Sequence, residues 1–195
     1  DPVRDKEIID TELQLKDLET VENRIKRVEK IAQVGNDKNA KLEYTVLTAI
    51  REALLEGNNA RSVTFESKDE QTAARNLFLL TSKPVLYVCN VDEGSAVSGN
   101  EYVERVREAV APEGAEILVV AAQTEADIAE LETFEERQEF LKDVGLEESG
   151  VNRLIKAAYK LLDLETFITA GEVEVHAWTY KRGWKAPQCA GVIHT

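Results

Sequence analysis

Apolar residues recur every three or four positions from Leu18 through Val21, Ile25 and Val28 to Ala32. That is the seam of a coiled coil, and it predicts one long helix from about residue 5 to residue 33. Gly35-Asn36-Asp37 breaks it. A second stripe of Leu42, Val46, Ala49 and Ala53 predicts a helix over residues 39–55. Two helices joined by a short polar link form an antiparallel hairpin. Gly57-Asn58-Asn59 ends the second helix, Val63-Thr64-Phe65 follows, and a third helix is predicted over residues 69–80.

From Pro84 the period changes. Val85–Asn90 is an unbroken apolar run ending in asparagine, as in a parallel-sheet strand buried on both faces. A loop with Gly94, Ser95, Ser98 and Gly99 leads to a helix over 101–110, with Val103, Val106 and Val110 on one face. Pro112 and Gly114 end that helix before a second apolar strand over 117–122. Strand, crossover helix and strand make a right-handed parallel unit. Short helices are predicted over 125–131 and 135–144. A last one, over 151–162, is capped by Ser149 and buries Leu154, Ile155, Ala158 and Leu161. Beyond Gly171 the period is two: Val173, Val175 and Ala177 face one way, and Glu174, His176 and Trp178 the other. This half-exposed strand opens a different module.

The chain has 195 residues and a net charge of −13. The acidic balance argues against broad, non-specific adhesion to nucleic acid. No apolar run approaches the roughly 20 residues needed to cross a bilayer, and no leader is evident, so the expectation is a cytoplasmic protein without membrane contact. Cys89 and Cys189 are too far apart in sequence to form a disulfide framework or a metal spacing. The chain opens at Asp1-Pro2, contains no methionine and closes on an apolar run before His194-Thr195, so both ends are expected to lie inside a longer protein.

In open parallel sheets, ligands bind beyond the carboxyl ends of the strands. Asn90-Val91-Asp92-Glu93 stands there. It is spaced like the Asn-Lys-x-Asp motif that reads guanine, in which the carboxylate accepts from the ring NH and exocyclic amine. Here Val91 replaces the lysine and Glu93 the aspartate, which weakens guanine selection and keeps an apolar cover for a purine. Asp92 is the alternative carboxylate if the loop is offset by one, and a plain asparagine turn is the structural alternative. Ala121, Ala122 and Gln123, at the end of the second strand, let backbone NH groups approach the base.

Arg24, Lys26, Arg27, Lys30, Lys38 and Lys41 make a basic end to the hairpin, either an RNA-phosphate contact or a solvated face laced with Glu22 and Glu29. Trp178, Tyr180, Lys181, Arg182, Trp184 and Lys185 either stack on a single strand or belong to a domain core. His176 and His194 have no nucleophile at recognisable spacing and are expected to be structural. The Glu135-Glu136 and Glu147-Glu148 pairs lie on polar faces, and no catalytic residue is assigned.

Leu164–Gly171, Glu174–Thr179 and Lys185–Thr195, together with Asp1–Asp5, Leu79–Pro84 and Glu125–Leu131, resemble the Obg-like ATPase (YchF-type) family in the same order along the whole chain. The resemblance implies an α/β fold: part of a P-loop NTPase domain, an inserted antiparallel helical hairpin and the start of a TGS (β-grasp) domain. It divides the chain into an NTPase helix (1–17), the inserted helical domain (18–82), the C-terminal half of the NTPase domain (83–167) and a TGS start (168–195). It also implies an Asn-x-x-Glu base loop preferring ATP to GTP, with Asn90, Val91 and Glu93 on one side of adenine and Ala121, Ala122 and Gln123 on the other. The implied role is a regulatory switch linked to the ribosome, translation or stress. The rival is a nucleotide-independent scaffold on RNA or the ribosome. No Gly-x-x-x-x-Gly-Lys-Ser/Thr run occurs in the chain, so the phosphates have no cradle here. Mg2+ is expected in the whole protein with no ligand among these residues. The chain alone is expected not to hydrolyse nucleotide.

Overall fold

The seam predicted at the start of the chain folds as helix α1 (Pro2–Val34), which lies against α2 (Lys38–Leu55). The computed structural model describes residues 1–35 and 37–193, so Asn36, His194 and Thr195 lie outside the described residues. The chain forms two compact units, Asp1–Lys83 and Pro84–Thr195.

In the first unit α1 ends at Gly35, whose N–H reaches the Ile31 carbonyl at 3.0 Å. A Cβ at Gly35 would stand 2.7 Å from that oxygen, so the tight exit requires glycine. Asp37 caps α2 by accepting from the Asn39 and Ala40 N–H groups. Val21 and Ile25 of α1 are buried against Val46, Leu47, Ile50 and Leu54 of α2. The expected stripe on α2 was rotated: Leu42, Ala49 and Ala53 are only half-buried. The larger Leu47, Ile50 and Leu54 take the interface, each contributing about 1.5–3 kcal/mol more when buried than when exposed.

Helix α3 (Lys68–Arg75) opens on a capping box between Ser67 and Glu70. It stops short of the expected Leu80. Asp17, buried in α1, accepts from the Leu80 N–H at 2.8 Å, the Thr81 N–H at 2.7 Å and the Thr81 hydroxyl at 2.7 Å. These bonds pull the chain out of helix. Phe78 takes φ +52° and points into solvent while Leu79 enters the core.

In the second unit β1 (Leu86–Asn90) and β2 (Glu116–Val120) pair in parallel, in register from Leu86↔Glu116 to Asn90↔Val120. Helix α4 (Glu101–Val110) makes the crossover, burying Val103, Val106 and Val110. Gly114, at φ +63°, turns the chain into β2. The expectation that β1 is buried on both faces fails: Val88 is 46% exposed. Among the described residues β1 has only β2 beside it, and two strands are too narrow to cover both faces.

Three helices follow: α5 (Ala122–Glu130), α6 (Phe134–Asp143) and α7 (Gly150–Leu161). Ser149 caps α7 as expected, accepting from the Asn152 N–H. Its apolar stripe is not buried as predicted, for Leu154 and Ile155 are exposed and Ala158 and Leu161 half-buried. Small residues, Gly150 and Ala157, form the buried face instead.

Strand β3 (Leu164–Ala170) pairs antiparallel with β4 (Val175–Lys181), and α8 (Ala186–Ile193) packs on β4. The run forming β3 carries no clean alternation, and periodicity predicted only its partner. On β4 the half-buried residues are Trp178 and Tyr180, whereas Val175 and Ala177 are exposed. The aromatic face is the packed one: Phe167 meets Tyr180 edge-on at 5.7 Å.

Candidate functional site

The ends of β1 and β2 lie side by side. Past Asn90, the Val91 N–H donates to the Val120 carbonyl at 2.8 Å, carrying the ladder one residue further. The Asn90 side-chain oxygen accepts from the Ala122 N–H at 3.0 Å. Its amide nitrogen has no partner among the described residues and is free to donate.

Asp92 caps a short 3-10 turn, Glu93–Ser95, accepting from the Ser95 N–H at 3.0 Å and from its hydroxyl at 3.1 Å. Its oxygens are thereby committed to the turn. Glu93, one residue on, is exposed, and its carboxylate makes no hydrogen bond or ion pair among the described residues. Val91 is half-buried between them.

On the other side β2 ends earlier than expected, at Val120. Ala121 is a buried N-cap without a side-chain cap, and Ala122 and Gln123 form the first turn of α5 instead of a strand end. The Asn90 side chain supplies the acceptor that lets the helix start there. Gln123 is exposed, and its amide donates to Asp127 at 3.0 Å. Hydrogen bonds thus join Asn90 and Val91 to Ala122 and Val120 across the two strand ends, with Ala121 and Gln123 flanking Ala122 in the chain and Glu93 in the exposed turn after Val91. Sequence reasoning missed Glu125, whose carboxylate accepts from the Gly150 and Val151 N–H groups. A glutamate early in a helix carries no local signal of a partner 25 residues away.

The other candidates divide. Arg24 pairs with Glu43 at 2.5 Å, whereas Lys26, Arg27, Lys30, Lys38 and Lys41 form no ion pair among the described residues. Cavities of about 290 and 400 Å³ lie in the first unit, both bordered by Arg24, Asn76 and Leu77. The aromatics of β4 are engaged within the hairpin: the Trp178 indole donates to Thr169 at 2.9 Å, and the Tyr180 hydroxyl donates to Glu165 at 2.6 Å. The bond to Glu165 pushes the Tyr180 phenol above its usual range. His176 lies against Trp178, with ring centroids 4.2 Å apart, and His194 lies outside the described residues. Burial pushes the Cys89 thiol up, so it is a poor nucleophile. Glu136 belongs to a capping box and Glu148 pairs with Lys156. Among the described residues no group of three histidine, cysteine or acidic side chains converges to hold a metal ion, and no helix is long and apolar enough to cross a membrane.

Comparison with known proteins gives this arrangement a lineage. A family model described as YchF-GTPase_C, a protein of unknown function (DUF933), matches residues 164–195. The "Ribosome-binding ATPase YchF" of Bacillus subtilis is 52% identical over all of this chain and 53% of its own length. The Escherichia coli O157:H7 protein of the same name is 48% identical over 52% of its length. Obg-like ATPase 1 of Rattus norvegicus is 37% identical over 50% of its length. The solved structure of the Schizosaccharomyces pombe YchF GTPase superposes with a TM-score of 0.88 at 31% identity, covering 100% of this chain and 53% of that one. The chain spans about half the length of the curated relatives it matches. In sequence and in fold, over its whole length, the chain is similar to about half the length of the YchF and Obg-like ATPases.

Proposed function

We propose that this chain supplies the purine-reading ledge and the partner-facing parts of a nucleotide hydrolase that acts as a switch on the ribosome, in translation or stress response. The base rests at the ends of β1 and β2. Asn90 uses its oxygen to brace Ala122 and its free amide to donate to purine N7. Val91 covers one face of the ring, and Ala121, Ala122 and Gln123 border the opposite edge. ATP is preferred over GTP, because Glu93 is one methylene longer than the guanine-reading aspartate and Val91 replaces the lysine. Residues outside these 195 hold the phosphates and Mg2+, and the chain by itself does not hydrolyse nucleotide.

In this reading residues 1–17 belong to the NTPase domain, 18–82 to an inserted helical domain, 83–167 to the rest of the NTPase domain, and 168–195 begin a TGS domain. The unpaired cations Lys26, Arg27, Lys30, Lys38 and Lys41 suit an anionic partner such as ribosomal RNA. The printed names of the Bacillus and Escherichia relatives carry both the nucleotide and the ribosome. The protein works in the cytoplasm.

The observation that supports the base ledge most is the Asn90–Ala122 bond, with the Glu93 carboxylate left unpaired beside it. Calorimetry of ATP and GTP with the protein at its relatives' full length tests the reading. Tighter ATP binding is expected. Tighter GTP binding removes the account of Val91 and Glu93. Binding of neither leaves a scaffold that docks on RNA or the ribosome without nucleotide.

A further inference from the structure

We infer that Glu125 is a positioning residue for purine readout, tethering the base-facing turn of α5 to the N-terminus of α7; this rests on the base-ledge reading above. The two carboxylate oxygens divide the work. Oε1 accepts from the Gly150 N–H at 2.6 Å and Oε2 from the Val151 N–H at 3.2 Å. A carboxylate there meets two orphan donors and the positive end of the α7 dipole, and charge-assisted bonds of this type are stronger than neutral ones.

The turn depends on outside support. Ala121 has no side chain with which to cap α5, and the buried Thr124 hydroxyl has no hydrogen-bond partner among the described residues. Asn90 holds the turn from β1, and Glu125 holds it from α7. Helix α7 is itself fixed along β2: the Arg153 guanidinium donates to the Val119 carbonyl at 2.7 Å, and Lys160 pairs with Glu116 at 3.0 Å. The contacts form a closed circuit from β1 through α5 and α7 to β2 and back to β1 at Asn90↔Val120.

Gly150 is the narrow point of that circuit. A Cβ there would stand 2.8 Å from Glu125 Oε1 and 2.7 Å from a methyl of Val120. Any other residue at 150 must push the carboxylate or the end of β2 aside. Ala122 lies three residues from Glu125, on the same face of the helix, so losing the tether moves the N–H groups that border the base. Displacements of about 1 Å are enough to weaken a positioned contact severely.

The test is an adenosine titration of this chain, followed by amide NMR and hydrogen exchange, with the thermal midpoint measured for each variant. Glu125→Ala is expected to lower adenosine affinity about tenfold and to strip exchange protection from Gly150, Val151, Ala122 and Gln123. Glu125→Gln retains one acceptor oxygen and restores part of both. Gly150→Ala, with the carboxylate still present, reproduces the Glu125→Ala loss, and the double variant is no weaker than either single one. A role in global stability alone predicts additive losses that follow the thermal midpoint, and that pattern overturns the inference. So does wild-type adenosine affinity in Glu125→Ala. If the wild-type chain ignores adenosine, the base-ledge reading falls. The tether is then decided by Ala122 and Gln123 alone, where unchanged exchange in Glu125→Ala overturns it too.

Discussion

The Asn90 side chain accepts a hydrogen bond from the backbone N–H of Ala122, 32 residues further along the chain. One amide at the end of β1 thereby starts α5 and leaves its nitrogen without a partner among the described residues, available for the proposed base. Asn90→Ala removes both functions. Ala122 is exposed, so water can satisfy its N–H, and the expected stability cost is about 0.5–1.5 kcal/mol. Nucleotide affinity is expected to fall about tenfold, which is 1.4 kcal/mol. Calorimetry with ATP on the full-length protein reads it, and an unchanged affinity would make the strand-end loop purely structural.

The Val91 and Glu93 positions carry the proposed base preference. Val91→Lys combined with Glu93→Asp rebuilds the guanine-reading pattern on the same backbone. The GTP-to-ATP affinity ratio is expected to rise at least tenfold. A ratio that stays put would locate base selection elsewhere, with the opposite edge at Ala121–Gln123 the next place to look.

How much of this was legible in the sequence depended on whether the signal was local. The apolar stripe at Val21 and Ile25, the Ser149 cap and the paired strands β1 and β2 were, because period and capping act within a few residues. The truncation of α3 was not. Its cause is a carboxylate at Asp17, more than 60 positions from the Leu80 and Thr81 donors it collects. For the same reason the place of Asn90 at the end of a strand was legible, whereas the contact of Glu125 with Gly150 was not. The β3 strand escaped because its partner, not its own pattern, defines it.

Asp17 itself offers a sharp stability test. It is 2% exposed and serves three donors from Leu80 and Thr81. Asp17→Ala leaves buried donors unsatisfied and is expected to cost about 3 kcal/mol. Asp17→Asn is not a rescue, since its NH2 must face either Leu80 N–H or the Thr81 donors. Urea denaturation followed by far-UV circular dichroism measures both. A loss under about 1 kcal/mol for either would mean that the 76–82 segment is held by packing.

Acid should loosen the N-terminal turn of α6. Hydrogen bonding from the Thr133 N–H, at 3.0 Å, holds the Glu136 carboxyl below its ordinary value of 4.5. The folded state therefore favours the ionised group. Its contribution is full above that ordinary value and disappears as pH falls through the lower folded one. Amide exchange in α6 is expected to accelerate between about pH 5 and pH 3 beyond the intrinsic change, and to do so less in Glu136→Gln. Equal behaviour of the two proteins would show that the capping box is not titrating.

The stripe on α7 poses the last test. Val151, Leu154, Ile155 and Leu162 are 52%, 38%, 51% and 52% exposed, and they recur at the spacing of one helix face. A contiguous apolar face of this kind drives association when nothing covers it. The 195-residue chain is expected to self-associate with rising concentration in sedimentation velocity. Leu154→Glu with Ile155→Lys should leave it monomeric with its helix content intact. Association that persists in this double variant would implicate the edge of β1 that has no strand beside it among the described residues. In a protein of the relatives' full length, the same pair should act in the opposite sense. If further NTPase strands cover α7 there, two charges on the stripe enter a core and lower stability by several kcal/mol. The same substitutions therefore separate a face evolved for burial within one chain from a face that merely happens to be apolar.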